Sequence, residues 1–260
     1  MIDFKKLRED YICGEKFRLL PHLNHHIVYT DADFFLPTMD YLRKSSDNFI
    51  VVSHNGDYAI NEERAAQIPS NVIEVYAQNN TSFNPKVISL PIGIANTEWA
   101  HGNIENFVNA YKNTIVDNYA SLAYLSAKVD TNRAARLPIK QYFETQNWCE
   151  VNDGFADPQL YYERVRKSFF NISPPGNGAD CHRIWETMYL GRVPVVQRTP
   201  GMEQFEIKGE LPILFVDDLT KVTDESLNSI WNTIGKTVFN TEKLWFSYWA
   251  NRILNAANKL

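Results

Sequence analysis

An excess of basic charge and long apolar runs are both absent from this sequence. Its 260 residues include 26 Lys and Arg against 31 Asp and Glu, which gives a formal net charge of -5. Proteins that bind nucleic acid through its phosphates need a basic face, and a membrane-spanning helix needs about 20 consecutive apolar residues. We therefore expect no nucleic-acid partner and no integral membrane segment.

Cysteine is scarce, and its spacing does not suit the common metal-binding and redox motifs. The three cysteines, Cys13, Cys149 and Cys181, lie far apart and form no CxxC pair, so reduced thiols are expected. The first residues, MIDFKKLREDYICGEKF (1–17), carry charges where a secretory signal needs an apolar core. These features predict an intracellular protein.

The first half of the chain alternates short β-rich runs with polar, helix-compatible stretches. Hydrophobic residues make up 44% of the chain and aromatic residues 13%, which is typical of a folded protein rather than a disordered one. Regular alternation of strand and helix is typical of a parallel sheet covered by helices. The predicted strands are HIVYT (26–30), NFIVVS (48–53), NVIEVYA (71–77) and KVISLPI (86–92).

The pattern restarts after a polar helix predicted over residues 103–119. The second series begins with a strand at 121–128 and a helix at 132–146, and it ends on an aromatic-rich helix at 240–260. The two series predict an α/β fold with two domains, residues 1–118 and 119–260.

Residues 171–197, NISPPGNGADCHRIWETMYLGRVPVVQ, are expected to form a strand, a turn, a helix and a second strand. Two prolines end the first strand, and Gly176 and Gly178 allow positive φ angles and a close backbone approach. Asp180 is predicted to cap the helix. The first N–H groups of that helix would then face outward, as they do in phosphate-binding turns.

Laid out at 100° per residue, this helix has two faces. Four residues suited to the sheet fall on one arc and three ionisable residues fall on the other: Cys181, Ile184, Trp185 and Met188 against His182, Arg183 and Glu186. The ionisable face can bind a phosphate group at the carboxyl edge of the sheet. An ordinary turn is the alternative, because the stretch lacks the third glycine of the GxGxxG fingerprint and an Arg–Glu pair at this spacing is common on helix surfaces.

The same stretch closely resembles the donor-binding motif of exostosin-like glycosyltransferases. The similar residues are FFNISPPGNGADCHRIWETMYLGRVPVV (169–196), which matches the pattern SPxGNGxDxxRxWE followed by LGxxPVV. Weaker similarities to short bacterial and viral members occur in the expected order along the rest of the chain: VVSHNGDY (51–58), YAQN (76–79), LPIGIANTEWAHGN (90–103) and YLSAKVDTNRAAR (124–136).

The resemblance implies a GT-B fold, in which two Rossmann-like domains face each other across a cleft. The C-terminal domain would hold a nucleotide sugar, most simply a UDP-sugar, and the N-terminal domain a glycan acceptor. The implied activity is an inverting, metal-independent transfer of a sugar to a carbohydrate hydroxyl, with the nucleotide sugar as co-substrate and no other cofactor. The last helix would pack back on the N-terminal domain, and the protein would work in the cytoplasm of a bacterium or an infected host cell.

Carried onto this sequence, the resemblance implies a set of donor-binding residues. Glu186 would bind the ribose hydroxyls, and Arg183 would neutralise the diphosphate, for which a guanidinium group is suited. Arg133 and Arg136 would close the site from the facing loop, although a solvated helix face is the alternative for both. The remaining donor-binding residues are Gly176, Asn177, Gly178, Asp180 and His182.

An inverting transfer needs a general base for the acceptor hydroxyl. The turn after the strand at 48–53 carries Asp57, the first candidate, and His54, the second. Ordinary turn chemistry is the alternative for both. His101, in WAHGN, is expected to be a structural histidine, with a place on the cleft wall near the hinge between the domains as the alternative.

Two alternative functions are kept open. Asp31 and Asp33 have the DxD spacing with which metal-dependent transferases hold a divalent cation. Such transferases build their nucleotide pocket from the chain that precedes the DxD motif, and only 30 residues precede it here. Helix capping is therefore the favoured role for the two aspartates. The second alternative is a degenerate member that binds a nucleotide or a glycan without turnover.

Overall fold

The computed structural model describes residues 3–114, 120–154, 157–206, 209–234 and 236–260. The N-terminal half contains a four-stranded parallel sheet in the order β1-β2-β3-β4. Its helices and strands are α1 (Phe4–Asp10), α2 (Gly14–Phe17), β1 (Ile27–Asp31), α3 (Phe35–Leu42), β2 (Phe49–His54), α4 (Glu62–Ala65), β3 (Val72–Ala77), β4 (Val87–Ser89) and α5 (Ile104–Asn113).

The C-terminal half contains a five-stranded parallel sheet in the order β6-β5-β7-β8-β9. Its helices and strands are β5 (Ser121–Ser126), α6 (Arg133–Glu144), β6 (Cys149–Asn152), α7 (Pro158–Arg166), β7 (Ser168–Ser173), α8 (His182–Tyr189), β8 (Val193–Gln197), α9 (Pro200–Glu203), β9 (Leu214–Val216), α10 (Asp224–Ile234) and α11 (Phe246–Ala257).

The strands form where the sequence is most continuously apolar. Strand β2 is buried from Ile50 onward, as expected for a parallel strand with helices on both faces. Helix α6 begins after Asn132, whose side chain accepts a hydrogen bond from the N–H of Ala135. Helix α8 ends before Gly191, which adopts a φ of +70°, as a glycine at a helix C-terminus commonly does.

The strand order of the second sheet creates a crevice. The chain runs from β5 outward to β6 and then crosses back to β7 on the other side of β5. Loops leaving β5 and β7 therefore diverge at the carboxyl edge of the sheet, which is where open α/β sheets bind ligands. The predicted fold class, an α/β protein with two Rossmann-like units that each contain a parallel sheet, is confirmed.

One hydrophobic core is continuous between the two halves. It contains Val52 and Tyr76 of the first sheet together with Trp185 of α8 and Trp249 of α11. Helix α11 packs against β1 and β2, and Ser247 at its start donates from its N–H and its hydroxyl to the two oxygens of the Asp10 carboxylate, both at 2.7 Å. The two halves are therefore joined by packing as well as by the chain.

Three details differ from the predictions or lie beyond them. Strand β6 and helix α10 were not predicted from the sequence, and α11 is shorter than the helix predicted over 240–260. The predicted domain boundary at residue 118 lies outside the described residues. Among the helices that the structure describes, none has the length and apolar character needed to cross a membrane.

Candidate functional site

A cavity of about 650 Å³ lies at the crevice of the second sheet, within the size range of small-molecule sites. Its walls come from the loops after β5 and β6, from α6 and α7, from the start of α8, and from the long loop that follows β4. The cavity is therefore shared by both halves. The lining residues are Ala95, Trp99, His101, Ser126, Lys128, Thr131, Arg136, Asp153, Gly154, Tyr161, Cys181, His182, Arg183 and Glu186.

Arg136 connects the two loops that form the crevice. Its side chain is 6% exposed, and it donates from Nε to the carbonyl of Pro175 at 2.9 Å and from Nη1 to that of Lys128 at 2.8 Å. Burial lowers the pKa of this guanidinium, and the charge of Arg183 lowers it further. The group remains cationic because an arginine titrates far above neutral pH. The cavity thus has a fixed positive wall.

Arg183 brings a second guanidinium into the same cavity. Its Nε atom is buried and has no hydrogen-bond partner in the described part of the chain. A buried donor without a partner costs about 1–3 kcal/mol, and because the Arg183 side chain lines the cavity, an acceptor bound beside it would satisfy this N–H once the guanidinium turns toward the ligand. The acceptor that suits two converging guanidinium groups is an anion such as a phosphate.

Glu186 lies one helical turn after Arg183 and also lines the cavity. It is 4% exposed and accepts a hydrogen bond from the hydroxyl of Tyr162 at 3.3 Å. Burial raises the pKa of this carboxyl to about 7, although the positive charge of Arg183 opposes the rise. Helix α8 therefore presents a cation and a titratable carboxyl to the same space, as predicted from its helical spacing.

The glycine turn before α8 packs against other parts of the protein. Neither Gly176 nor Gly178 has a positive φ, which differs from the prediction. A Cβ atom at Gly178 would lie 2.2 Å from the side chain of Asn79, and the N–H of Gly176 already donates to the carbonyl of Gly178 at 2.9 Å. The predicted cradle of glycine N–H groups is therefore not free at Gly176, and the close approach at Gly178 serves the contact between the two halves.

Asp180 has a structural contact in place of the predicted helix cap. The N-cap of α8 is Cys181, which makes no side-chain cap bond. One oxygen of the Asp180 carboxylate accepts from the N–H of Ile92 and the other from the indole N–H of Trp185, both at 2.7 Å. Asp180 is 5% exposed and does not line the cavity. It joins the two halves, so we remove it from the predicted donor site.

Three more predicted positions need correction or refinement. Cys181, predicted to face the sheet, lines the cavity. Arg133 points to solvent, where it pairs with Asp130 at 3.3 Å, and it does not line the cavity, so we remove it from the site. Asn177 of the turn is exposed and donates to the carboxylate of Asp57 at 2.9 Å.

The two predicted bases lie in different surroundings. Asp57 is exposed and accepts the hydrogen bond from Asn177. His54 is buried, accepts at Nδ1 from the N–H of Asn55 at 2.8 Å, and donates from Nε2 to the carbonyl of Pro91 at 3.1 Å. Burial lowers the pKa of His54 to about 4. Both of its ring nitrogens are used, so it has no free lone pair for proton transfer.

The DxD aspartates are held by other contacts or face solvent. Asp31 accepts from Arg18 at 2.9 Å and from the hydroxyl of Tyr29 at 3.2 Å, and it occupies an N-cap position without a side-chain cap bond. Asp33 is exposed. Within the described ranges, no group of three or more His, Cys, Asp or Glu side chains is placed to hold a metal ion.

Several lining residues were not predicted from the sequence. Trp99 is 64% exposed although it lines the cavity, so one large aromatic ring is available to a ligand. Tyr161 comes from α7 and Lys128 from the loop after β5. Trp99 lies in LPIGIANTEWAHGN, a segment without helix or strand periodicity. A tryptophan in such a loop segment was the sequence feature that could have indicated a ligand contact.

The comparisons with known proteins leave the family open. No protein-family model matches the chain, and no curated protein matches it. Among solved structures, the chain is similar to the UDP-GlcNAc 2-epimerase from Methanocaldococcus jannaschii, with 11% sequence identity and a TM-score of 0.38 over 95% of this chain and 82% of that chain. A likeness this weak carries no argument about function, which must come from the cavity itself.

Proposed function

We propose that this protein is a glycosyltransferase that binds a nucleotide sugar, most simply a UDP-sugar, in the cavity and transfers its sugar with inversion to a carbohydrate hydroxyl. We further propose that it is a short member of the exostosin-like group. The observation that carries the proposal is that one helix brings two side chains to the same cavity: Arg183, whose buried Nε has no partner among the described residues, and one turn later the buried carboxyl of Glu186.

The lining side chains suit the separate parts of a nucleotide sugar. Arg136, Arg183 and Lys128 provide positive charge for the diphosphate, and the positive end of the α8 dipole adds to it. Glu186, when ionised, accepts hydrogen bonds from two ribose hydroxyls. The exposed ring of Trp99 offers a face for the nucleobase to stack on.

The same residues support catalysis without a metal. As the bond between the sugar and the diphosphate breaks, negative charge grows on the leaving oxygen. Fixed guanidinium groups at that point stabilise the transition state more than the ground state, because the charge is largest there. Arg136 is already held by two carbonyls, so it needs little rearrangement when the charge develops.

Release of nucleoside diphosphate tests the activity. Purified protein is incubated with UDP-, GDP- or dTDP-sugars and a panel of glycan acceptors, with and without EDTA. We expect release from one nucleotide class, undiminished by EDTA. Binding without release across a broad panel would support the non-catalytic alternative. Loss of activity in EDTA, matched by Asp31→Ala and Asp33→Ala, would support the metal-dependent one.

Donor affinity is expected to depend on pH through Glu186. Its pKa is about 7, and only the ionised carboxylate accepts hydrogen bonds from both ribose hydroxyls. Affinity should therefore be full above pH 7 and fall by up to about tenfold per pH unit below it. Calorimetric titration between pH 5.5 and 8.5 measures this. The intact nucleotide sugar is the correct probe, since its diphosphate diester does not titrate in that range.

Glu186→Gln is the matched control for the pH dependence. Glutamine keeps the size and one acceptor oxygen but cannot ionise, so its weaker affinity should be nearly constant across the same range. A pH dependence that is the same in both proteins would assign the titration to another group and remove Glu186 from the ribose site.

A further inference from the structure

The proposed transfer needs a group that accepts the proton of the acceptor hydroxyl. Such a group must present a free lone pair to the cavity. His54 presents none, because both of its ring nitrogens bond to the backbone. Asp57 is exposed, its carboxylate accepts a hydrogen bond from Asn177, and it does not line the cavity. A third residue, predicted only as a donor contact, meets the requirement.

His182 lies at the start of α8, between the cavity and the N-terminal half. Its Nδ1–H donates to the carbonyl of Gly93 at 2.8 Å. Because a carbonyl can only accept, this bond places the ring proton on Nδ1 and leaves the lone pair on Nε2. Nε2 has no hydrogen-bond partner among the described residues, and His182 lines the cavity.

The carbonyl that orients His182 belongs to Gly93, whose backbone adopts an uncommon conformation. Gly93 has a φ of +68°, and a Cβ atom there would lie 2.2 Å from the carbonyl oxygen of Ile12. The N–H of Ile94 donates to that same oxygen at 2.9 Å. Only glycine fits this turn, so the loop after β4 is shaped to present its carbonyl to the imidazole. The orientation of His182 is therefore set by a second residue.

We propose that His182 is the general base of the transfer, with Nε2 accepting the proton of the acceptor hydroxyl. This inference rests on the proposed function. The acceptor oxygen forms the new bond to the anomeric carbon as its proton passes to Nε2. The bond from that carbon to the diphosphate breaks, and the nucleoside diphosphate leaves with the electron pair beside Arg136 and Arg183. The imidazolium then loses its proton to solvent.

The charges around His182 keep it ready to accept a proton at neutral pH. Burial lowers its pKa, and the neighbouring His101 and Arg183 lower it further, whereas the Gly93 carbonyl and Asp57 act in the opposite direction. A histidine with a pKa below its usual value is mostly neutral at pH 7. At saturating donor, kcat should therefore fall only as the pH drops below the ordinary range of histidine titration.

Two substitutions distinguish the role of Nε2 as a base from the role of Nδ1 as a donor to the Gly93 carbonyl. His182→Asn keeps an N–H near the position of Nδ1 for the Gly93 carbonyl but has no base, whereas His182→Ala loses both. We expect kcat to fall by about 10²–10⁴-fold in each, with calorimetric affinity for the nucleotide sugar within a few fold of wild type. The acidic limb of the pH profile of kcat, measured at saturating donor so that the pH dependence of binding through Glu186 is removed, should disappear, and free imidazole should restore part of the activity of His182→Ala.

Asp57→Asn is the matched variant for the competing base. We expect it to retain most of the turnover. A loss of 10²-fold or more in Asp57→Asn, with near-normal kcat in His182→Asn, would overturn the assignment of His182. Weaker binding of the nucleotide sugar in His182→Asn, with an unchanged kcat at saturating donor, would also overturn the assignment. In that case His182 would be a donor contact and not the base. If wild-type protein binds no nucleotide sugar, the proposed function itself fails, which is a separate result.

Discussion

Arg183→Ala is expected to lower kcat/KM for the nucleotide sugar by about 10²–10³-fold, the usual effect of removing one preorganised donor at a site of developing charge. The Nε of this side chain is buried without a partner among the described residues, and the hydrogen bond that the substitution removes within the protein is a weak one, from Nη1 to the Cys181 sulfur at 3.9 Å. Initial rates of nucleoside diphosphate release, measured over a range of donor concentrations, test this directly.

Arg133→Ala is the control for the loss of one positive charge. Arg133 lies on α6, as Arg136 does, but it pairs with Asp130 at the surface and does not line the cavity. Its removal should change kcat/KM by less than about twofold. Equal losses in the two variants would show that general charge attraction, rather than the geometry at Arg183, governs donor use.

Asp180→Ala is expected to lower the free energy of unfolding by about 2–4 kcal/mol, because the N–H of Ile92 and the indole N–H of Trp185 would lose their acceptor in a buried place. In a chain of this size the melting temperature should fall by roughly 6–12 °C. Thermal unfolding followed by circular dichroism measures the change.

Asp33→Ala serves as the comparison for Asp180→Ala. Asp33 is exposed, so its loss should alter the free energy of unfolding by less than about 0.5 kcal/mol. A small effect of Asp180→Ala as well would mean that water replaces the carboxylate and that the contact between Asp180 and Ile92 does not hold the two halves together.

Most of the architecture could be predicted from local hydrophobic patterns in the sequence. Short apolar runs such as FIVVS become strands because helices cover both faces of a parallel sheet. Strand β6, CEVN, was missed because it is four residues long and only its first residue is fully buried. It forms by pairing with β5, and pairing between strands leaves little trace in a polar sequence.

Of the residues predicted to bind the donor, the structure brings Arg136, His182, Arg183 and Glu186 to one cavity. Arg183 and Glu186 face the cavity because helical spacing alone puts them on one face. The partners of Asp180, Gly178 and His54 lie between 37 and 99 residues away along the chain: Ile92, Asn79 and Pro91. Such contacts depend on how the two halves dock, which local sequence patterns do not report. For the same reason the free lone pair of His182 could not be predicted.

Binding of a nucleotide sugar in the cavity is the central claim, and a thermal-shift titration tests it most directly. Wild-type protein and the double variant Arg183→Ala/Glu186→Ala are each melted with UDP-, GDP- and dTDP-sugars. A ligand at 100 times its Kd stabilises the folded protein by about 2.7 kcal/mol. We predict a rise of several degrees with one nucleotide class in the wild type and none in the double variant. No rise with any nucleotide sugar, or an equal rise in both proteins, would contradict the claim.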